Sequence, residues 1–316
     1  MWAVAGSLPD MTADRRLLLV HAHPDDETIN NGVTMARYVA EGAQVTLVTC
    51  TRGEEGEILL PEFASAAASV DDTLADLRIV ELANAMAALG VTDHRFLGQA
   101  QGLLFRDSGM MGTEPNNRPD VFWQANLDAM SDLLVPVIRE LRPQVVVTYD
   151  EQGGYGHPDH IQAHRVAVRA VELAGDPGHR PDLGAFWQVA RIYYCAIPES
   201  NIRSTLRALR DSGDTTAFEG MDPDGPMPSF VVADELIAAA VDGRAFLEQK
   251  IAAMRAHATQ IAVDGGFFAL SNNLGSEVFG TEFYRLAPAS VVPNHGCVDD
   301  LFAGLLDDLV DLPLKG

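Results

Sequence analysis

Short apolar runs alternate with longer stretches of helical spacing over the first 175 residues. Leu17 to Val20 is unbroken apolar sequence, as in a strand buried on both faces. Helical spacing follows to about Glu41, with Gly42 as its stop. Gln44 to Cys50 reads as the next strand and Thr51 to Glu57 as a polar loop. A helix is expected over Asp71–Leu89, with Asp71 or Asp72 capping its start and Gly90 ending it. His94–Leu97 reads as a third strand and Gln99–Pro119 as a loop. Phe122–Leu141 is a helix stopped by Pro143, Val145 to Tyr149 a strand, and Pro158–Ala174 a helix.

This order implies an α/β, Rossmann-like fold, a mostly parallel sheet with helices on both faces. Beyond Asp176 the pattern weakens. Arg191–Ala196 reads as a strand, Glu199–Arg210 as a helix, 211–228 as a loop and Asp234–Thr259 as one long helix. The expected organisation is a metal-dependent catalytic core over 15–175. Residues 176–316 form a smaller irregular part that completes the pocket without being an independent domain.

In such sheets ligands bind beyond the carboxyl ends of the strands. Two clusters lie there: His21-Ala-His23-Pro-Asp25-Asp26-Glu27 after the first strand, and Tyr155-Gly-His157-Pro-Asp159-His160 shortly after Val145–Tyr149. Zinc takes imidazole nitrogen and carboxylate oxygen, and a catalytic site leaves a position open for water. His23 and Asp26, three apart across a proline turn, can converge on one ion, and His160 can complete the set. Asp25 can then aim elsewhere, placed as general base. His157 can face the reacting group, with Asp159 holding its imidazolium and raising its pKa. The spacing points to a metal site and is silent on the substrate.

Composition narrows the class. The net charge of −23, from 45 acidic and 22 basic side chains, disfavours nucleic acid and anionic membranes as partners. Cys50, Cys195 and Cys297 are far apart and suggest neither a disulfide framework nor a thiolate site. Cys50 reads as a small buried hydrophobe. No apolar stretch reaches the ~20 residues of a membrane span. Residues 1–14 read as a disordered leader without the pattern of a signal peptide, so a cytoplasmic location is expected. The motifs G-x-G-x-x-G, P-loop and G-x-S-x-G are absent, which disfavours a nucleotide-binding protein or a serine hydrolase.

The His23–Glu27 motif after an apolar strand, paired with His157–His160, resembles the LmbE-like / PIG-L family of zinc-dependent deacetylases. Thr49–Gly56, Arg106–Thr113, Gly153–His160, His257–Gln260 and Leu270–Leu274 resemble the branch that serves mycothiol biosynthesis. The resemblance implies hydrolysis of the acetamide of an N-acetylglucosaminyl-inositol, with a mycothiol S-conjugate amidase as the alternative. It implies His23, Asp26 and His160 as ligands of Zn2+, though Fe2+ fits the same donors. It also implies Asp25 as general base, His157 as general acid or electrostatic partner, and Tyr155 as a donor to the developing oxyanion. Arg78 and Asp107 fall where such enzymes hold sugar hydroxyls, and His257 is a further substrate-side candidate. The residues alone leave other readings open: a surface ion pair of Arg78 with Glu81, Asp107 as a turn residue, Tyr155 as packing and His257 as a core histidine. His21 reads as structural and Glu27 as a hydrogen-bonding partner behind the site. The partner is a small amino sugar, and the oligomeric state is open.

Overall fold

A computed structural model describes residues 14–211, 213, 215, 220–262, 280–288, 290–293 and 296–305. The Leu270–Leu274 motif and residues 1–13 of the expected leader lie outside them. The elements are β1 (Arg16–His21), α1 (Asp26–Ala40), β2 (Gln44–Thr49), α2 (Leu74–Leu89), β3 (Asp93–Phe96), α3 (Leu127–Leu141), β4 (Val145–Thr148), the short helical turn α4 (Gly153–Gly156), α5 (Pro158–Gly175), β5 (Arg191–Pro198), α6 (Glu199–Asp211), β6 (Val231–Val232), β7 (Ile237–Asp242), α7 (Leu247–Ala256) and β8 (Thr281–Leu286), with short 3-10 turns between.

The sheet runs β3-β2-β1-β4-β5-β8-β7. Its first five strands are parallel; β8 pairs antiparallel with β5, and β7 antiparallel with β8. Helices cover both faces, which is why Leu17–Val20 of β1 and Val145–Val147 of β4 are unbroken apolar runs. Leu18, Val20 and Val146 enter one core with α3 and α5. Leu17, Leu19, Val145 and Val147 enter the other with α1, α2 and α7.

Three expectations are corrected. The long helix over Asp234–Thr259 is instead strand β7 followed by the shorter α7. Ala239 and Val241 are fully buried, and Ala239 stands opposite the buried ring of Tyr284 on β8. Small side chains that could propagate a helix are recruited by the sheet because a large partner needs the room, tertiary packing overriding local propensity. The second helix begins at Leu74 rather than Asp71. Asp72 has φ 53, and its carboxylate pairs with Arg106 at 2.8 Å instead of capping. The expected helix over Phe122–Leu141 starts with a separate 3-10 turn, Phe122–Gln124. Asn126 then caps α3 by accepting the Ala129 N–H at 3.0 Å.

β1 lies between β2, to which α1 leads, and β4, so the connection reverses direction across the sheet at the β1/β4 edge. That crevice is where both histidine clusters emerge.

Candidate metal centre and active site

After β1 the chain turns through Pro24 into α1. Three side chains converge at the turn. His23 Nδ1 lies 3.2 Å from Asp26 Oδ2, His160 Nε2 lies 3.4 Å from Asp26 Oδ1, and the two imidazole nitrogens are 3.3 Å apart. A tetrahedral ion with ligands at 2.0–2.1 Å sets its donors about 3.3 Å apart. The triangle therefore fits a small divalent cation with one face open. His157 borders the same centre, its imidazole nitrogen within 4.8 Å of those of His23 and His160.

The opposite edge of each imidazole is fixed. His160 donates from Nδ1 to the Gly153 carbonyl at 3.3 Å, which leaves Nε2 for the ion. Gly153 has φ 63, and a Cβ there would lie 2.7 Å from His160 Cβ, so only glycine allows this approach. His23 Nε2 faces Asp159 at 3.3 Å and Asp107 at 3.5 Å. Burial alone would lower the pKa of His23, but these carboxylates and Asp26 raise it well above the usual value. An imidazole surrounded by carboxylates marks a place where positive charge is stabilised. Burial opposes the ionised Asp26 too, yet His160 and His23 hold its carboxyl well below the ordinary range.

Asp25 lines the same cavity, and its backbone has φ 120, a conformation that non-glycine residues rarely adopt. Its Oδ2 pairs with Arg78 at 3.0 Å. Burial pushes its pKa up to about 6, with Arg78 opposing and Asp26 adding to the rise. A carboxylate tuned to that range is suited to general base work.

The structure corrects the expected role of Asp159. Its carboxylate is taken by His23 and by the Ser108 N–H at 2.8 Å, and only its backbone N–H meets His157, donating to Nδ1 at 3.1 Å. The cause is local: His157 is the N-cap of α5, so its ring accepts from the first helical turn. Burial, with His23 and His160 close by, lowers the His157 pKa to about 3. The ring is thus neutral, with its proton on Nε2. Tyr155, 56% exposed on α4, stands at the cavity mouth with its ring centroid 5.0 Å from that of His160.

Arg78 is buried and forms no surface pair with Glu81, whose carboxylate accepts from Thr259 N and Oγ1, each at 2.8 Å. Its guanidinium donates to the Gly53 carbonyl at 2.9 Å and to that of Pro24. Asp107 is buried as well. It accepts the Gly109 N–H at 2.8 Å and the Glu55 N–H at 3.2 Å. Both residues line the cavity. His257 does not. It is fully buried behind α1, 3.0 Å from Glu27 Oε1, and Gln260 is the residue of that segment that reaches the cavity wall. The substrate-side expectation for His257 is therefore corrected.

The cavity measures about 660 Å³. His23, Asp25, Asp26, His157 and His160 lie along one side, and Ile29, Cys195, Ile197 and Phe230 form an apolar wall. Sequence reasoning missed Tyr149, whose ring stacks on His160 with centroids 4.2 Å apart and whose hydroxyl accepts the Ala22 N–H at 2.8 Å. Its place just past β4 was a usable signal. Glu54 was missed too. It is buried and accepts the Asp107 N–H at 3.0 Å. Nothing in the polar loop around it announces burial.

A crevice at the carboxyl edge of a doubly wound sheet, with two imidazoles and a carboxylate converging beside a separate half-buried carboxylate, is the arrangement that metal-assisted hydrolysis requires. A family model described as PIG-L, GlcNAc-PI de-N-acetylase, matches residues 18–171. A 1D-myo-inositol 2-acetamido-2-deoxy-alpha-D-glucopyranoside deacetylase from Geodermatophilus obscurus is 63% identical over 295 residues, covering 93% of this chain and 99% of that protein. One of the same name from Kribbella flavida is 59% identical over 298 residues, covering 92% and 98%. The N,N'-diacetylchitobiose deacetylase of Pyrococcus horikoshii shares the fold, with a TM-score of 0.57 at 18% identity over 89% of this chain and 87% of that one. The chain belongs to the PIG-L family, as the resemblance of its two histidine motifs implied.

Proposed function

We propose that this protein hydrolyses the acetamide of an N-acetylglucosaminyl-inositol, giving acetate and the free amino sugar, the deacetylation that the names of its relatives describe, and that this serves mycothiol biosynthesis. The observation that carries the reading is the convergence of His23, Asp26 and His160 at 3.2–3.4 Å with Asp25 alongside. Those three residues would hold zinc, which when bound supplies Lewis acidity to the amide carbonyl and acidifies a water.

Asp25 takes a proton from the attacking water as its oxygen bonds to the carbonyl carbon. The same carboxyl, now protonated, returns that proton to the amide nitrogen, so the C–N bond breaks with a neutral amine leaving. His157 donates a hydrogen bond from its Nε2–H to the carbonyl oxygen as charge gathers there, and Tyr155 donates another from the mouth. His157 thus serves as a neutral donor rather than a charged acid. Asp159 and Asp107 hold His23, Arg78 holds Asp25, and the cavity-facing edges of Arg78 and Asp107 receive sugar hydroxyls. The apolar wall of Ile29, Cys195, Ile197 and Phe230 sets which aglycone fits.

Among the described residues no helix is long and apolar enough to cross a membrane. The three free cysteines accord with a cytoplasmic setting.

The test is acetate release from N-acetylglucosaminyl-inositol by the metal-analysed protein, with N-acetylglucosamine and a mycothiol S-conjugate as competitors. Turnover of the inositol glycoside above both supports the proposal. Preferential cleavage of the conjugate would replace it with an amidase.

A further inference from the structure

Asp25 reaches its position through a backbone conformation, φ 120, that is costly for any residue with a side chain. Such strain persists only where the surroundings over-determine it. Two buried arms do so here. One is Arg78, which grips the Asp25 carboxylate and the Pro24 carbonyl. The other has no role in the chemistry described so far. Glu27 Oε2 accepts the Asp25 N–H at 3.0 Å, while its Oε1 accepts from Thr28 Oγ1 at 2.7 Å and from His257 Nε2 at 3.0 Å. The side chains of Glu27 and His257 are both 0% exposed.

His257 does not line the cavity, and its Nδ1 has no hydrogen-bond partner among the described residues. All of its side-chain hydrogen bonding is therefore directed at the Glu27–Thr28 pair. That contact joins the C-terminal end of α7 to the first turn of α1, across 230 residues of sequence. Were Glu27 to swing away, the Asp25 N–H would lose its acceptor, and the turn could relax to an ordinary conformation that re-aims the carboxylate.

We propose that His257 is a positioning residue: through Glu27 it locks the strained backbone of Asp25 and so aims the general base. The inference rests on the deacetylase reading above. It assigns the C-terminal segment a part in catalysis without contact with substrate.

The test is steady-state kinetics on zinc-loaded, full-length His257→Gln, Glu27→Gln and the double variant, with zinc content and circular dichroism in parallel. For His257→Gln the expected result is a fall in kcat of about 10- to 100-fold, since small misplacements of a reacting group carry costs of that order. KM should stay within about two-fold and zinc at the wild-type level, because the loss is confined to the transition state. The double variant should be no slower than Glu27→Gln alone, since both act along one path.

Four outcomes overturn the proposal. They are a folded His257→Gln with wild-type kcat, a rise in KM at constant kcat, loss of zinc, or additive effects in the double variant. If His257→Gln fails to fold, Glu27→Gln decides, because it keeps the side-chain shape: wild-type kcat in that variant refutes the lock. A wild-type protein that releases no acetate would instead sink the deacetylase reading itself, an outcome separable from all of these.

Discussion

Arg78 Nη2 lies 3.0 Å from Asp25 Oδ2, with the two side chains only 3% and 16% exposed. The pair sets the protonation of the carboxylate proposed as the base. Burial pushes Asp25 up to about 6 although Arg78 opposes the rise. A base must be deprotonated, so kcat/KM should climb as pH rises through about 6 and level off above. A bound divalent cation favours the ionised carboxylate and moves that limb to lower pH, never higher. Asp25→Asn should cut kcat by about 100-fold or more, within the usual range for loss of a general base, while zinc content stays normal. Zinc lost together with activity would move Asp25 into the ligand set.

Removing the arginine tests the same pair from the other side. Arg78→Met takes away the charge that lowers the Asp25 pKa, so the acid limb of kcat/KM should shift to higher pH. Unpairing a buried ion pair costs about 3–5 kcal/mol, of which Asp25 evades a part by taking up a proton. The measurement is the pH–rate profile of the variant beside its denaturation midpoint. A limb that stays in place would show that Arg78 acts on the sugar and not on Asp25.

Gly53 gives a steric version of this experiment. It has φ 68, and a Cβ there would lie 2.0 Å from Arg78 Nη1, against which no side-chain rotation of residue 53 helps. Gly53→Ala should therefore displace the guanidinium and copy the upward limb shift of Arg78→Met with the arginine still present. It should also lower stability, because the alanine is forced into a left-handed conformation. Kinetics indistinguishable from wild type would mean that the loop yields and the guanidinium keeps its hold on Asp25.

The alternation of parallel strands with helices and the crevice were legible because Leu17–Val20 of β1 and Val145–Val147 of β4 are buried on both faces and read as continuous apolar runs. The two histidine motifs were legible because each follows such a strand. The antiparallel edge was not. Ala238, Ala239 and Ala240 of β7 carry no period-2 signal, and their strand state depends on Tyr284 some forty-five residues away. The charge partners within the site were equally hidden. Asp159 is adjacent in sequence to His160 and two residues from His157, yet its carboxylate serves His23, 136 residues earlier. Sequence proximity gave the wrong imidazole because α5 turns the Asp159 side chain away and presents its N–H instead. His257 failed for a related reason: a histidine near a motif does not reveal whether it faces the cavity or the back of a helix.

His157 separates two mechanisms. With Nδ1 accepting the Asp159 N–H and the ring held neutral, it can donate but not act as a charged acid. His157→Ala should lower kcat by about 100- to 1,000-fold, the usual loss for one oxyanion donor, and leave the acid limb of the pH profile in place. A basic limb present in the wild type and lost in that variant would restore the imidazolium as the acid.

Metal removal probes the donor triangle itself. Without a cation, His23, His160 and the Asp26 carboxylate remain crowded within 3.4 Å of one another, buried among Asp25, Asp107 and Asp159. Chelation should abolish acetate release and lower Tm, and added zinc should restore both. At about a hundred times its Kd a ligand that binds only the folded state contributes about 2.7 kcal/mol, which corresponds to a Tm increase of roughly 4 °C for a chain of this size. Replacing His160 by Ala should erase that zinc-dependent increase. Asp25→Asn should keep it, because Asp25 is proposed as the base and not as a ligand. Equal Tm gains in the His160→Ala and wild-type proteins would mean that zinc binds elsewhere, with the three converging donors held together by hydrogen bonds alone.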